Sequence, residues 1–138
     1  MKRFFSLVNI GLAVVSMFML TPFLTSAQDS GPVKVAATVI CKNVADREPV
    51  DSGTRFSVAV GKLYCFSKIT DIQNASNIVH VWYFGDRERA RVTLNVKPPA
   101  WRTYSSKTIQ THEIGAWRVE VHDASGNLLE TVGFETTQ

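Results

Sequence analysis

The amino-acid sequence predicts an all-β protein, folded as an immunoglobulin-like antiparallel β-sandwich of about seven strands. Short runs of alternating apolar and polar residues recur along the chain, and turn-forming residues separate them at intervals of about ten residues. Beyond residue 34, no run has the 3.6-residue apolar period of an amphipathic helix. Strands at this spacing, without helices between them, are typical of a sandwich rather than of a βαβ fold.

The chain begins with the three parts of an export signal. A basic Met1-Lys2-Arg3, an apolar run at residues 10–20 and the small residues Thr25-Ser26-Ala27 follow one another in the order typical of a cleaved leader. We therefore expect a periplasmic or secreted protein, with no stable membrane anchor after cleavage. The alternative is a retained N-terminal anchor, because residues 4–24 approach the roughly 20 residues needed to cross a bilayer.

The sequence accordingly divides into a signal peptide at residues 1–27, a linker at residues 28–34 and a β-sandwich domain at residues 35–138. Removing 27 of the 138 residues leaves 111, enough for one domain with one core. Removing Lys2 and Arg3 from the 15 basic residues leaves 13, against 12 acidic ones. A protein so close to neutrality lacks the basic excess typical of nucleic-acid binding, so we expect no nucleic-acid partner.

The first half of the domain is predicted to contain strands on either side of a loop. Residues 33–44 alternate so that one face of a strand carries the apolar side chains, which are Val33, Val35, Ala37, Val39 and Cys41. Residues 45–53 predict a loop, because Pro49 lacks an amide donor and Asp51-Ser52-Gly53 is typical of turns. Residues 55–70 are rich in β-branched and aromatic residues and predict two strand segments separated by Gly61.

The second half predicts two hairpins. Residues 78–84 and 87–96 flank a Gly85-Asp86 turn, and the second of these strands places its apolar side chains inward, namely Ala90, Val92, Leu94 and Val96. Pro98-Pro99 ends that strand, because neither proline can donate a ladder hydrogen bond. Three more strands are predicted, at residues 102–109, 116–122 and 128–134, the last two joined by a turn at residues 123–127.

The two cysteines, Cys41 and Cys65, both fall on apolar positions of predicted strands. An oxidising compartment permits them to pair, so we predict a disulfide that stabilises the fold by roughly 3 kcal/mol. The alternative is two buried free thiols that act as small hydrophobic side chains.

Catalytic and metal-binding patterns are missing from the sequence. His80, His112 and His122 are far apart and have no cysteine or carboxylate partner at the spacing of a metal motif. Ser105-Ser106-Lys107 lacks the Ser-x-x-Lys spacing, and no nucleophile elbow or glycine-rich phosphate loop is present. We therefore expect a protein that is not an enzyme, with no catalytic residue, no metal and no cofactor.

Residues 79–107 concentrate aromatic and basic side chains and hold two of the three tryptophans. Aromatic faces can stack on sugars or on a partner's side chains, while histidine, arginine and lysine supply donors. The predicted binding residues are His80, Trp82, Trp101, Arg102, Tyr104 and Lys107. Because Trp101 follows Pro98-Pro99, we expect residues 101–107 to form a binding surface rather than a folding element. The alternative places the tryptophans in the core, covered by the aliphatic stems of Arg102 and Lys107.

Several motifs together resemble a known family. In order, they are Arg47-Glu48-Pro49-Val50, His80-Val81-Trp82, Trp101-Arg102-Thr103-Tyr104-Ser105-Ser106-Lys107, Gly115-Ala116-Trp117-Arg118-Val119, Asp123 and Gly126. Their order and spacing resemble the bacterial exported domain of unknown function 2914, over residues 35–134. The resemblance implies an extracytoplasmic module, and it implies no established activity or ligand-binding residue.

Two functions follow as hypotheses. The first is an exported, non-enzymatic binding module that recognises another envelope protein through its aromatic and basic surface. The alternative is a module that binds a glycan or a peptidoglycan fragment. A flat, exposed apolar patch would favour the protein partner, and a cleft lined by tryptophan would favour the glycan.

Overall fold

The structure, a computed structural model, describes residues 33–138 and confirms an all-β fold. Its nine strands are β1 (Lys34–Ala45), β2 (Glu48–Gly53), β3 (Arg55–Ser57), β4 (Lys62–Thr70), β5 (Ser76–Phe84), β6 (Arg87–Val96), β7 (Trp101–Thr108), β8 (Gly115–Asp123) and β9 (Leu128–Thr137), with a single 3₁₀ turn at Val58–Val60. The predicted signal peptide, and the linker as far as Pro32, lie outside the described residues. No helix within residues 33–138 is long and apolar enough to cross a membrane.

The strands form the two layers of the predicted sandwich. One sheet has the order β2-β1-β4-β7 and the other the order β3-β9-β8-β5-β6. All neighbouring pairs are antiparallel except β3 and β9, which run parallel. The count exceeds the predicted seven because β2 and β3 are short strands in the segment from Glu48 to Ser57. The strands β2, β7, β3 and β6 lie at the edges of the sheets.

The loop predicted at residues 45–53 is wrong, because these residues form the end of β1, a two-residue turn and the strand β2 of a β-hairpin. Val44 pairs with Pro49 and Ala45 with Glu48, which leaves only Asp46 and Arg47 in the turn. Both turn residues have positive φ, 51° and 61°, as a two-residue type I′ turn requires. Pro49 is tolerated because β2 is an edge strand that needs no second partner.

The predicted disulfide is also corrected, since both cysteines are buried free thiols. A β-bulge lies between Val35 and Ala37, and beyond it Ile40, not Cys41, is opposite Cys65. Because side chains alternate across a strand, the bulge turns Ile40 into the core and Cys41 to the other face of the sheet. The two thiols therefore lie on opposite faces. Burial raises the pKa of both, most strongly that of Cys65.

Two apolar clusters fill the space between the sheets. The larger contains Trp82, Trp117, Val119 and Phe134, and the smaller joins Ile69, Ile72, Ile78, Val96 and Val121. The predicted inward face of β6 is confirmed, although Ala90, Val92 and Leu94 are only partly buried because β6 is an edge strand. Trp101 packs on the smaller cluster from the neighbouring β7.

A buried carboxylate fixes the end of the sandwich where β7 turns into β8. Glu113 accepts the backbone N–H of Gln110 at 2.9 Å and pairs with Arg89. A bulge in β6 makes Arg89 the extra residue opposite Trp82, which redirects its side chain toward Glu113. The carbonyl of Glu113 also accepts the hydroxyl of Thr136. The Arg89 ion pair thus ties the β7–β8 connection to β6, and the Thr136 hydrogen bond ties it to β9.

Candidate anion-binding cleft

The candidate site begins at the first residues of β7. In the register with β4, Arg102 lies opposite Lys68 and Trp101 lies opposite Ile69. Since side chains alternate, Arg102 and Lys68 project from the outer face of the sheet, while Trp101 faces the smaller core cluster. The preceding connection contains a cis peptide between Pro98 and Pro99, and the Ile72 amide donates a 3.0 Å hydrogen bond to the Pro99 carbonyl.

The β1–β2 hairpin bends back over this outer face. Its residue Glu48 forms a 2.8 Å ion pair with Arg102, although β2 and β7 are the two opposite edges of the sheet. In a flat sheet three strand spacings, about 14 Å, would separate those edges, and the hairpin tip would extend away from Arg102. The hairpin therefore curls over the sheet. Phe66 and Cys41, which project from this outer face, are both buried.

The curled hairpin closes a cleft of about 370 Å³, lined by Arg47, Lys68, Ala100, Trp101 and Arg102. Arg47 comes from the hairpin turn, Lys68 from β4, and the other three residues from the start of β7. The cleft therefore unites three segments that are distant in sequence. One aromatic residue and three cationic residues therefore line it.

The cleft is strongly positive for so neutral a protein. Outside that lining, Lys97 places its Nζ 5.7 Å from the centre of the Trp101 ring. Glu48 is the acidic partner that Arg102 finds there, and in residues 33–138 neither Arg47 nor Lys68 forms a salt bridge. Three cations line the cleft and the carboxylate of Glu48 pairs with one of them, which leaves a local excess of positive charge. Such a site favours an anionic group, which guanidinium can bind through two parallel hydrogen bonds.

Tyr104 extends the site along the outer face of β7. It lies two residues beyond Arg102 and opposite Phe66, and its side chain is 50% exposed. Tyr64 meets its ring edge-on, with 5.9 Å between the centroids and 63° between the planes. This tyrosine pair presents an aromatic surface next to the cationic cleft.

Lys107 lies apart from the cleft. It pairs with Leu63 at the opposite end of β7, five residues from Arg102, a separation of about 17 Å along a strand. Its Nζ donates to the carbonyl of Thr108 at 3.0 Å. The structure therefore does not place Lys107 with the other predicted binding residues.

His80 and Trp82 lie in the core, with no exposed surface, so their prediction as binding residues is corrected. They point from β5 toward the opposite sheet, where β4 and β7 present Ser67 and Ser105. His80 Nε2 is 2.9 Å from Ser67 Oγ, and His80 Nδ1 is 2.7 Å from Ser105 Oγ. Trp82 Nε1 donates to Ser105 Oγ at 3.0 Å. Both polar side chains thus join the sheets instead of meeting a ligand.

One arrangement of protons satisfies every donor in this polar network. Ser105 accepts from Trp82, so its own hydroxyl is satisfied by donating to His80 Nδ1. His80 then carries its proton on Nε2 and donates to Ser67, which lies 3.0 Å from the hydroxyl of Thr38. Burial lowers the pKa of His80 to about 4. The ring is therefore neutral at pH 7 and stabilises the interior without a charge.

The structure adds Arg47 and Lys68 to the predicted Trp101, Arg102 and Tyr104. Sequence reasoning missed Arg47 because residues 45–53 were expected to be a loop. It missed Lys68 because alternation shows that a strand residue faces outward but not what lies opposite it. Among residues 33–138, no group of three histidine, cysteine or acidic side chains is placed to hold a metal ion.

Comparison with known families identifies the second half of the domain. Residues 75–136 match the family described as "Protein of unknown function (DUF2914)". This match supports membership of the family. The match covers β5 to β9, and so includes Trp101, Arg102 and Tyr104, while Arg47 and Lys68 lie outside it. The family prediction is confirmed over a shorter range than the predicted 35–134. A comparison with curated proteins finds no match.

Proposed function

We propose that this DUF2914 protein is an exported, non-enzymatic binding module whose cleft takes the anionic group of a cell-envelope glycan. The observation that carries the proposal is that Arg47, Lys68 and Arg102 line one cleft together with the half-buried Trp101. Cations can bind a carboxylate, and an indole can stack on a sugar ring. The same cleft therefore has residues suited to the carboxylate and to the ring of an acidic sugar.

The shape of the site favours a glycan over a protein partner. A protein partner is better suited by a broad, flat surface, whereas the hairpin and β7 here enclose a concave site. Trp101 is also anchored in the smaller core cluster. An aromatic ring already held in place loses little conformational entropy when a ligand stacks on it. An acidic segment of an envelope protein remains the competing ligand, and the experiment below includes it.

Arg47 offers the sharpest test because it combines a binding role with an unfavourable backbone. Its φ of 61° lies in the left-handed region, where glycine is favoured at this position of a type I′ turn. Arg47→Gly should therefore leave the melting temperature unchanged or raise it. The same substitution removes one cation from the cleft and should weaken binding of an acidic hexasaccharide by about tenfold.

The measurement is a calorimetric titration of the purified full chain with an oligouronate of six residues. A neutral hexasaccharide and poly-aspartate serve as comparison ligands, and Lys107→Ala is the matched control for loss of a β7 cation outside the cleft. The proposal predicts that the oligouronate binds, that the neutral sugar binds much more weakly, and that Lys107→Ala has no effect. Equal binding of the neutral sugar, tighter binding of poly-aspartate, or binding to neither acidic ligand would overturn it.

A further inference from the structure

We infer that the cleft is the first of two neighbouring subsites, and that the ligand is a chain of sugars rather than a single small anion. The second subsite is the tyrosine pair on the outer face, formed by Tyr104 with Tyr64 beside it. This inference rests on the proposed function, because it extends the same ligand beyond the anion-binding cleft. It predicts that the ligand contains more than one sugar unit and runs along β7 from Arg102 toward Tyr104.

The geometry places the two subsites on one continuous face. Arg102 and Tyr104 are alternate residues of β7, so they project from the same side of the sheet, about 7 Å apart. Opposite them on β4, Lys68 and Phe66 repeat the order of a cation followed by an aromatic ring. A ligand anchored by its anionic group between Arg102 and Lys68 would therefore pass next over the ring of Tyr104.

Tyr104 is held in place without being buried. Its ring contacts the edge of Tyr64 and lies in register with Phe66, which is only 4% exposed. Tyr104 itself remains 50% exposed, so a large aromatic surface is left available on a solvent-facing strand. A ring whose position is already fixed by its neighbours is well suited to stacking on a flat sugar face.

The chemistry around the tyrosine pair matches an acidic saccharide. Along β7, Tyr104 has Arg102 on one side and Ser106 on the other, and the opposite strand presents Lys68, Phe66 and Tyr64. None of these carries a negative charge, the nearby carboxylate of Glu48 is paired with Arg102, and the hydroxyl groups can bond sugar hydroxyls. A free phosphate or acetate would occupy the cleft alone and gain nothing from Tyr104.

The test compares ligand lengths in the full chain. Calorimetric titration with a uronic acid monomer and with the six-residue oligouronate should show tighter binding of the longer ligand, by about fivefold to tenfold. Tyr104→Ala should remove most of that difference by lowering the affinity for the oligouronate toward that for the monomer. Tyr104→Phe keeps the ring and should retain the difference. Melting curves of both variants verify that they remain folded.

The outcomes separate the two proposals. If the oligouronate keeps its advantage in Tyr104→Ala, or has none in the unmodified protein, the second subsite is wrong while the cleft still binds its anion. If neither monomer nor hexamer binds, the proposed function itself fails. If poly-aspartate binds as tightly as the oligouronate and loses affinity in Tyr104→Ala, the face recognises an acidic peptide, and the assignment to a saccharide is overturned.

Discussion

Acidification should destabilise this protein through His80 before its carboxylates are protonated. Unfolded, the imidazole has a pKa of about 6.5, whereas burial lowers the pKa of His80 in the folded protein to about 4. Between these values the unfolded chain binds a proton that the folded protein does not, so the free energy of unfolding falls as the pH falls. The contribution is complete above pH 6.5 and is lost by about pH 4. A shift of two and a half pKa units corresponds to about 3 kcal/mol.

Urea denaturation between pH 7 and pH 4 measures this effect, with His80→Gln as the control. Glutamine does not titrate, while every other ionisable group is retained, so the difference in pH dependence between the two proteins isolates His80. Glu120 and Asp123 lose their stabilising contributions equally in both proteins. Burial raises the pKa of each carboxyl, but hydrogen bonds lower it by more, so that both pKa values are lowered overall. Parallel stability curves for the two proteins would refute the assignment of a neutral, buried imidazole.

Two further predictions concern the cleft. Glu48→Gln removes the carboxylate that occupies Arg102, so the oligouronate should bind about twofold to fivefold more tightly with little change in stability; weaker binding would show that Glu48 helps to form the site. Trp101→Ala should weaken binding and also lower the free energy of unfolding by about 1 to 3 kcal/mol, because the ring packs on the smaller core cluster. Trp101→Phe should recover part of the stability, and an unchanged melting temperature in Trp101→Ala would contradict this packing.

The elements that sequence alone could predict are those set by local patterning. Gly85-Asp86 and residues 123–127 both join antiparallel strands as expected. Turn-forming residues and the alternation of apolar and polar side chains can each be recognised within a few residues of sequence. The β1 strand shows the limit. Its alternation appears unbroken in sequence, yet the bulge near Val35 reverses the faces beyond it. One extra residue therefore turned Cys41 away from Cys65.

The site shows the same limit at longer range. Trp101 and Arg102 could be identified because an aromatic and a cation follow two prolines in the chain. Arg47 could not, since its position depends on a type I′ turn made without glycine and on a hairpin that folds across the sheet. His80 was misassigned because a polar side chain next to Trp82 resembles a surface site. Only the register places Ser67 and Ser105 within hydrogen-bond distance of that ring.

The three tryptophans allow the central claim to be tested in one titration. Each indole N–H gives its own signal in a nitrogen–proton NMR spectrum, and Trp101→Phe identifies which signal belongs to the cleft. Trp82 and Trp117 donate to Ser105 and Thr136 in the core, so their signals serve as internal controls. Addition of the oligouronate should shift the Trp101 signal and leave the other two in place. A Trp101 signal that stays fixed while ligand binds, or shifts confined to the core tryptophans, would contradict a glycan site in this cleft.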